Sequence, residues 1–427
     1  MLSKINKCRQ EIINWTRSQN INSVTVIKET QLALEVALSA DPPEPTVIGA
    51  LSSKLEQAYK LEELFWKQRS RIRWLHSGDR NSSYFHAVTR NRRFQNRLTV
   101  LENSAGVPCH EKHQITQIIS EYFQQIFSSE ANGDLLVVNE AIDPTVSQAD
   151  NDLLIRIPDE EEIKAAVFSI HASKAPGPDG FSAGFYHSYW HIIGPDVVRE
   201  VRLFFSSSSF PRRMNETHIR LIPKDLGPRK VADYRPIALC NIFYKIVAKI
   251  ISKRMQPILS NLISENQSAF VPGRAISDNV LITHEILHFL RISSATKYGS
   301  MAIKTDMSKA YDRVEWDFLK AVLSRFGFHE TFITWILECV TSVSYSFLIN
   351  GSPQGKVLPS RGLRQGDPLS PYLFILCTEV LSGLCKKAQL LKQLSGIRVS
   401  QNGPRVNHLL FADDTMFFAK ADAKSCA

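Results

Sequence analysis

The sequence has few cysteines and no arrangement of them that would hold a structure together. The seven cysteines are odd in number and scattered along the chain. They form no Cys-x-x-Cys pair and no Cys/His group at the spacing of a zinc site. These absences exclude a disulfide-built scaffold and argue against a structural metal, and they predict a reducing compartment.

Long hydrophobic runs are also missing. The nearest candidate, residues 372–381, is too short for a membrane span and carries Thr378 and Glu379. The first residues, MLSKINK, contain no apolar core of a secretory signal. We therefore expect no membrane partner and a location in the nucleus or cytoplasm. A hydrophobic content of 44% with 22% charged residues excludes a disordered chain.

Acidic residues are in deficit, and the shortage is local. The net charge is +9, and residues 67–97 alone hold nine Lys and Arg against one acid, Asp79, with aromatic residues between them. Cations that neutralise phosphates, alternating with rings on which bases stack, are typical of RNA binding. The alternative is a solvated basic helix with core aromatics, and the pattern does not choose between them. The candidate nucleic-acid contacts are Arg71, Arg73, Trp74, Arg80, Arg92 and Arg93.

The chain divides by pattern into four parts. Residues 1–66 predict helices, residues 67–150 a basic and aromatic extension with a linker, residues 151–300 a mixed region and residues 301–427 a second mixed region. A Pro- and Gly-rich loop, KAPGPDG, begins at Lys174, which could approach a nucleic-acid backbone. Lysines 245, 249 and 253 repeat every four residues on a predicted helix, and this row is either a solvated face or a track for phosphates.

Three stretches near the end carry the chemistry. An apolar strand ends at Asp306, in the stretch KTDMSKAYDRVEW, and a helix is expected to follow at once. The stretch PSRGLRQGDPLSP follows, with Asp367 as a candidate helix N-cap. Finally, HLLFADDTMFF predicts a β-hairpin with Asp413 and Asp414 at its tip. Because neighbouring side chains in a strand face opposite ways, one of these two carboxylates should do most of any metal ligation.

In this order the three stretches resemble the palm of reverse transcriptases, most closely those of plant LINE-type (non-LTR) retrotransposons. Further blocks of the same resemblance are residues 78–86, 174–181, 221–224, 233–239 and 267–274. The resemblance covers roughly residues 66–420. It implies an α+β fold with the fingers (residues 151–300) and a truncated ferredoxin-like palm (residues 301–427) of a right-hand polymerase, preceded by a mostly helical basic N-terminal extension.

The resemblance implies an RNA-directed DNA polymerase that joins a primer 3′-hydroxyl to the α-phosphate of an incoming nucleotide. Such a reaction uses two Mg²⁺ ions, for which Mn²⁺ can substitute, held by oxygen ligands. By similarity, Asp306 bridges both ions, Asp413 is the second main ligand and Asp414 supports them. The main-chain carbonyl of Met307 is a further expected ligand.

The resemblance also places the nucleotide and the polymers. Tyr311 falls where the family has the aromatic residue that excludes a ribose 2′-hydroxyl. Arg364, Gln365 and Gly366 fall in the loop that contacts the incoming nucleotide and template. Lys224 and Arg235 are candidates for the triphosphate, although a surface cation is an equal alternative. The implied partners are an RNA template, a DNA primer and deoxynucleoside triphosphates.

The sequence departs from the family pattern at its end, where only thirteen residues follow Asp414. The resemblance therefore predicts an internal fragment of a larger element, with the thumb absent. Two alternatives remain open: a catalytically silent nucleic-acid-binding remnant, and a two-metal nuclease. The nuclease lacks the additional Asp, Glu and His residues that such sites gather, and it leaves the Arg364–Gly366 loop unexplained.

Overall fold

The structure is a computed structural model, and it describes residues 2–18, 23–72, 82–129, 133, 135–211, 213–292 and 299–421. The chain forms two compact units. One contains residues Met1–His110 and Leu221–Arg235, and the other contains Glu111–Arg220 and Pro236–Ala427. These units are described separately below, and the four-part division remains a prediction.

The first unit is helical at its N-terminus, as the apolar periodicity predicts. Its elements are α1 (Leu2–Ser18), α2 (Ser23–Leu38), α3 (Pro45–Ser70), α4 (Ser82–Gln95), β1 (Leu101–Glu102) and β2 (Pro108–Cys109). The two short strands pair as an antiparallel hairpin. No helix within the described ranges is long and apolar enough to cross a membrane.

The second unit contains all the remaining helices. They are α5 (Lys112–Phe127), α6 (Leu136–Ala141), α7 (Gln148–Leu154), α8 (Glu160–Ser169), α9 (Ala183–Ser188), α10 (Trp190–Ser207), α11 (Ile242–Met255), α12 (Leu259–Leu262), α13 (Ile276–Ile292), α14 (Trp316–Phe326), α15 (Glu330–Thr341) and α16 (Ser370–Leu390). Local signals set several of their ends. The Asp159 side chain accepts from the Glu162 N–H and starts α8, and Gly327 ends α14 in a left-handed conformation.

The larger sheet has four strands in the order β4-β3-β6-β7, namely Tyr234–Cys240, Glu216–Pro223, Ser344–Ile349 and Ser352–Val357. Strands β3 and β6 are parallel, and β6 and β7 form an antiparallel hairpin. The turn of this hairpin is Asn350-Gly351, with both residues at positive φ, as this dipeptide predicts.

The smaller sheet carries the carboxylates and has three antiparallel strands in the order β5-β9-β8. They are β5 (Ser300–Asp306), β8 (His408–Phe411) and β9 (Asp414–Lys420). Helix α13 lies on one face of this sheet, where Ile286 packs with Leu409 and Phe418 in a buried cluster. This packing fixes the sheet and leaves its Asp306 end exposed.

Three local expectations differ from the structure. The chain after Asp306 makes turns and one 3₁₀ turn at Tyr311–Arg313 before α14 begins at Trp316, so no helix follows at once. Helix α16 begins at Ser370, and Asp367 is buried instead of capping it directly. Helix α11 is almost wholly buried, and Lys245 is 8% exposed, so the lysine row is not a solvated face.

The burial of Lys245 has a clear structural cause. Its ammonium group donates to the carbonyl of Ala175, 3.5 Å away, in the loop that begins at Lys174. That loop packs closely on the start of α11, since a Cβ at Gly177 would lie 2.4 Å from the Asn241 nitrogen. Burial lowers the pKa of Lys245, while Cys240, Asp179 and other charges act on it more weakly.

Candidate active site

Asp306 and Asp414 stand directly opposite each other at the end of the smaller sheet. They are the last register pair of β5 and β9. Directly opposed residues of an antiparallel pair place their side chains on the same face. Both side chains are exposed. The fold therefore unites on one face two carboxylates that are far apart in sequence.

Asp413 occupies the tight turn between β8 and β9. Because Phe411 pairs with Asp414, the turn consists of Ala412 and Asp413 only. Ala412 has a φ of 54°, the left-handed region, which costs a residue with a Cβ roughly 1–2 kcal/mol. The Asp413 carbonyl accepts from the Met307 N–H at 3.4 Å, which ties the turn to the chain just beyond Asp306.

A lysine shares the face of these carboxylates. Lys304 Nζ lies 3.0 Å from Asp414 Oδ1. Lys304 is two residues before Asp306 in β5, so the two-residue period of a strand puts it on the same face. Asp414 is thus paired with a cation in this structure.

Tyr311 lies beside the Asp413 turn, and its ring packs on a second aromatic ring. Its ring stacks on Phe374 of α16, with centroids 4.7 Å apart and an interplanar angle of 13°. Burial, and secondly the charge of Asp413, raise the pKa of Tyr311.

The loop before α16 is bound to the segment that follows Asp306. The Leu363 N–H donates to the Tyr311 carbonyl at 2.7 Å, and the Gly362 N–H donates to the Val314 carbonyl at 2.8 Å. Gly362 has a φ of 98°, and a Cβ there would lie 2.7 Å from the Asp312 carbonyl oxygen, so only glycine fits. Two of the three predicted stretches therefore meet through backbone hydrogen bonds.

The side chain of Arg364 is buried, contrary to the expectation that it contacts a nucleotide. It is 4% exposed. Its guanidinium donates to Asn215 Oδ1 and to the carbonyl of Cys339, and its Nε is 3.5 Å from Asp367 Oδ2. It also lies 3.7 Å from the centroid of the Tyr244 ring. A buried charge is tolerated only when it is paired, and the Arg364 guanidinium uses its donors on buried partners. Its role is therefore to stabilise the interior.

Gln365 and Gly366 are exposed between buried neighbours. The Gln365 carbonyl accepts from the Ala238 N–H of β4 at 2.9 Å, which fixes the backbone of the loop while leaving the side chain in solvent. Gly366 has a φ of 102°. These two residues are accessible to a ligand, which Arg364 is not.

The remaining predicted cations of the polymerase-like region are exposed. Lys224 and Arg235 lie on the hairpin of β3 and β4, in the segment that belongs to the first unit. The Lys224 N–H donates to the Asp233 carbonyl at 2.8 Å, which closes the hairpin. Lys174 is exposed in the second unit, at the start of its loop.

The basic and aromatic patch is described only in part. Arg73, Trp74 and Arg80 lie outside the described residues. Arg71 ends α3 with a φ of 54°, and Arg92 of α4 donates to the carbonyl of Ser70 beside it. These contacts bring the end of α3 and the end of α4 together, with Arg71, Arg92 and Arg93 exposed.

The oxygen donors at the sheet end suit Mg²⁺ in kind. Carboxylates and a main-chain carbonyl are the hard ligands this ion prefers, and waters and substrate phosphates complete its shell. Within the part of the chain that is described, however, no three His, Cys, Asp or Glu side chains are close enough to hold a metal together. Two carboxylates share one face, and Asp413 is not gathered with them into a group of three.

Sequence reasoning missed two residues of this site. Phe374, which supports Tyr311, lies 63 positions later in the chain, and no local pattern links the two. Lys304 could have been found, because the period of a strand places it on the face of Asp306.

Comparisons with known proteins identify a family for the second half of the sequence. The sequence model of the family described as Reverse transcriptase (RNA-dependent DNA polymerase) matches residues 222–426, which include all three aspartates. The Transposon TX1 uncharacterized 149 kDa protein of Xenopus laevis is 30% identical over 354 residues, 82% of this chain and 26% of that protein. An uncharacterized mitochondrial protein of Arabidopsis thaliana is 80% identical over 69 residues, 16% of this chain and 57% of that protein.

A third relative names the type of element. The retrovirus-related Pol polyprotein from a type-2 retrotransposable element of Drosophila melanogaster is 25% identical over 262 residues, 61% of this chain and 23% of that protein. The chain thus spans about a quarter of the length of the two long relatives and somewhat over half of the short one. By descent, residues 222–426 are a reverse transcriptase domain, and two of the relatives bear the names of transposable elements, one a transposon and the other a type-2 retrotransposable element.

Proposed function

We propose that this chain carries the nucleotidyl-transfer site of an RNA-directed DNA polymerase. The observation that carries the proposal is the register pair of Asp306 and Asp414 at the exposed end of β5 and β9, with Asp413 in the adjoining turn. These residues lie within the stretch that matches the reverse transcriptase family. In a polymerase of this family they would form the strand end and the hairpin tip of the palm.

Asp306, Asp413, Asp414 and the Met307 carbonyl would hold the divalent ions that this family uses. Two bound Mg²⁺ ions, or Mn²⁺ in their place, would lower the pKa of the primer hydroxyl and stabilise the departing pyrophosphate. The chain itself supplies acidic oxygens on a rigid sheet, and its hairpin turn is anchored to Met307. Such anchoring supports the precise geometry that phosphoryl transfer requires.

The nucleotide would lie against the loop at Gln365 and Gly366. Both are exposed, and the backbone beneath them is fixed by the hydrogen bond to Ala238. Tyr311, held flat on Phe374, would restrict the sugar to one without a 2′-hydroxyl. Lys224 and Arg235 remain candidates for the triphosphate, since both are exposed cations.

The template and primer would bind to basic surfaces. Arg71, Arg92 and Arg93 form an exposed cationic group at the adjoining ends of α3 and α4, and Lys174 is exposed on its loop. Phosphate neutralisation by such groups makes binding depend steeply on salt.

One observation favours the second candidate, a silent nucleic-acid-binding remnant. The ammonium group of Lys304 lies where it neutralises Asp414. If that ion pair persists in solution, the carboxylate is not free for a metal, and the chain would bind RNA without extending a primer.

Primer extension separates the two functions. The full chain is incubated with Mg²⁺, an RNA template, an annealed DNA primer and deoxynucleoside triphosphates. We expect extension that Asp413→Ala abolishes and that the control Asp317→Ala, an exposed acid on α14, leaves unchanged. The same preparation is titrated with labelled RNA at several salt concentrations.

The outcomes are distinct. Extension that survives Asp413→Ala contradicts the assignment of the site. RNA binding with a steep salt dependence, but without extension in either Mg²⁺ or Mn²⁺, identifies the silent remnant.

A further inference from the structure

One polar stretch, between α12 and α13, has no role in the site as described so far. Residues 264–274 connect α12 to α13 and lie along β8, immediately before the aspartate turn. Gln267 forms a parallel bridge with Leu410 and is 0% exposed. A fully buried glutamine is unusual, since long polar side chains are mostly at the surface, so its contacts need an explanation.

The side-chain carbonyl of Gln267 is aimed at the turn. Its Oε1 accepts from the Ala412 N–H at 3.1 Å and from the Ala269 N–H at 2.9 Å. Because both partners are N–H donors, they define which end of the amide is oxygen. Its Nε2 is buried without a hydrogen-bond partner among the described residues. The side-chain carbonyl of Gln267, and not its NH₂ group, therefore makes the contact with the turn.

Gln267 bonds to Ala412, the residue of the turn whose backbone is strained. Ala412 adopts the left-handed conformation, and the next residue is Asp413. A hydrogen bond to the Ala412 N–H favours that conformation over extended alternatives, in which the N–H would point elsewhere. The orientation of the Asp413 side chain follows from the backbone of this two-residue turn.

The strand before the turn is held by the same segment. The Leu410 N–H donates to the Asn266 carbonyl at 2.8 Å, and the Ser268 N–H donates to the Leu410 carbonyl at 3.2 Å. Asn279 of α13 donates to that same carbonyl at 2.8 Å. These bonds fix β8 as far as Leu410.

The segment is in turn anchored to the helices around it. The guanidinium of Arg274 donates to the carbonyls of Gln267 at 2.7 Å and of Ile263 at 2.8 Å. Glu379 of α16, itself 8% exposed, accepts from the Ser264 N–H at 3.0 Å. Gln267 therefore projects from a rigid support, as a residue that positions another must.

We propose that Gln267 is a positioning residue for the metal site, which sets the aspartate turn through its bond to Ala412. It touches neither metal nor nucleotide in this role. The inference rests on the proposed function for the metal-binding role of the turn. The hydrogen bond between Gln267 and Ala412 does not depend on that function.

The test measures Mn²⁺ affinity of the full chain by electron paramagnetic resonance, without nucleic acid or turnover. Gln267→Met keeps the length and volume of the side chain but removes the acceptor. We expect it to weaken Mn²⁺ binding about tenfold, the order seen when a group that orients a metal ligand is lost. Gln267→Asn, which is one methylene shorter, is expected to weaken it several-fold and keeps the test valid if Gln267→Met does not fold.

A double-mutant cycle separates positioning from a general loss of structure. Ala412→Gly makes the left-handed turn favourable without help, so adding Gln267→Met to it should weaken Mn²⁺ binding by roughly threefold or less. A merely structural role predicts equal losses in both backgrounds. Gln256→Met is the matched control, because it removes a comparable bond, to Tyr372, that does not involve the turn.

The failures are distinguishable. An unchanged affinity in Gln267→Met, or equal losses in both backgrounds, overturns the positioning role alone. Hydrogen exchange at the Ala412 amide that is as slow in Gln267→Met as in the unchanged chain overturns the hydrogen bond on which the inference stands. If the wild-type chain binds no Mn²⁺ at Asp413, the proposed function and the positioning role are both overturned.

Discussion

Lys304 and Asp414 pair across β5 and β9, with 3.0 Å between Nζ and Oδ1, on the face that Asp306 shares. Their side chains are 65% and 50% exposed, so the pair is solvated and weak. A metal ion that binds Asp414 must displace this ammonium group or share the carboxylate with it. The lysine is thus a built-in competitor for the site.

Replacement of this competitor should tighten metal binding. We expect Lys304→Met to raise Mn²⁺ affinity by a factor of about 1.4 to 5, which corresponds to the 0.2–1 kcal/mol of an exposed ion pair. Calorimetric titration of the full chain measures this change, with Lys320→Met on α14 as a control that alters the same charge. A loss of affinity in Lys304→Met would mean that the lysine supports the site.

The Arg364 cluster should govern stability. Arg364→Met leaves the buried Asp367 without its cationic partner and removes the bond to Asn215, so we expect a loss of about 3–5 kcal/mol in the free energy of unfolding. Urea denaturation followed by circular dichroism measures the loss. Arg398→Met, at an exposed position, should change it by less than about 0.5 kcal/mol. A near-neutral Arg364→Met would show that the guanidinium is free enough to bind a nucleotide.

The contrast between Arg364 and Asp413 shows what a sequence can predict. The aspartate hairpin is a local pattern of two apolar runs around a turn, and the structure confirms its strands. The burial of Arg364 depends on Asn215 and Tyr244, which come from distant parts of the chain. Likewise, the contact of Gln267 with Ala412 spans 145 residues, and no periodicity foretells it.

His408 should make the fold sensitive to acid. Burial, and secondly the charge of Lys386, lower its pKa to about 4. In the neutral ring one nitrogen donates to Asn407 Oδ1 and the other accepts from Ser382. The unfolded chain, with an ordinary histidine pKa near 6.5, binds the proton first, so the stabilisation present above pH 6.5 is lost as the pH falls towards 4.

We expect His408 to contribute about 2 kcal/mol less to the free energy of unfolding at pH 5 than at pH 7. Urea denaturation at both pH values measures it, and His408→Gln should reduce the difference between them by this amount. The exposed His113→Gln provides the control. Equal pH dependence in the unchanged chain and in His408→Gln would contradict a buried neutral ring.

Tyr311 should control the choice of sugar. Tyr311→Val removes the ring that rests on Phe374, and we expect the ratio of ribonucleotide to deoxyribonucleotide incorporation to rise about tenfold or more. Single-nucleotide extension with each triphosphate gives this ratio. Tyr189→Val, a half-exposed tyrosine on another surface, should leave it unchanged. An unaltered ratio in Tyr311→Val would place the sugar elsewhere.

The most direct measurement of the central claim is templated addition of a single nucleotide by the full chain in Mg²⁺. One RNA template differs from another only at the first unpaired base, and each is offered all four deoxynucleoside triphosphates separately. We predict that the nucleotide added changes with the template base, and that Asp306→Asn and Asp413→Asn abolish the addition while Asp317→Asn does not. Addition that ignores the template base, or that persists in Asp413→Asn, would contradict a polymerase site at these aspartates.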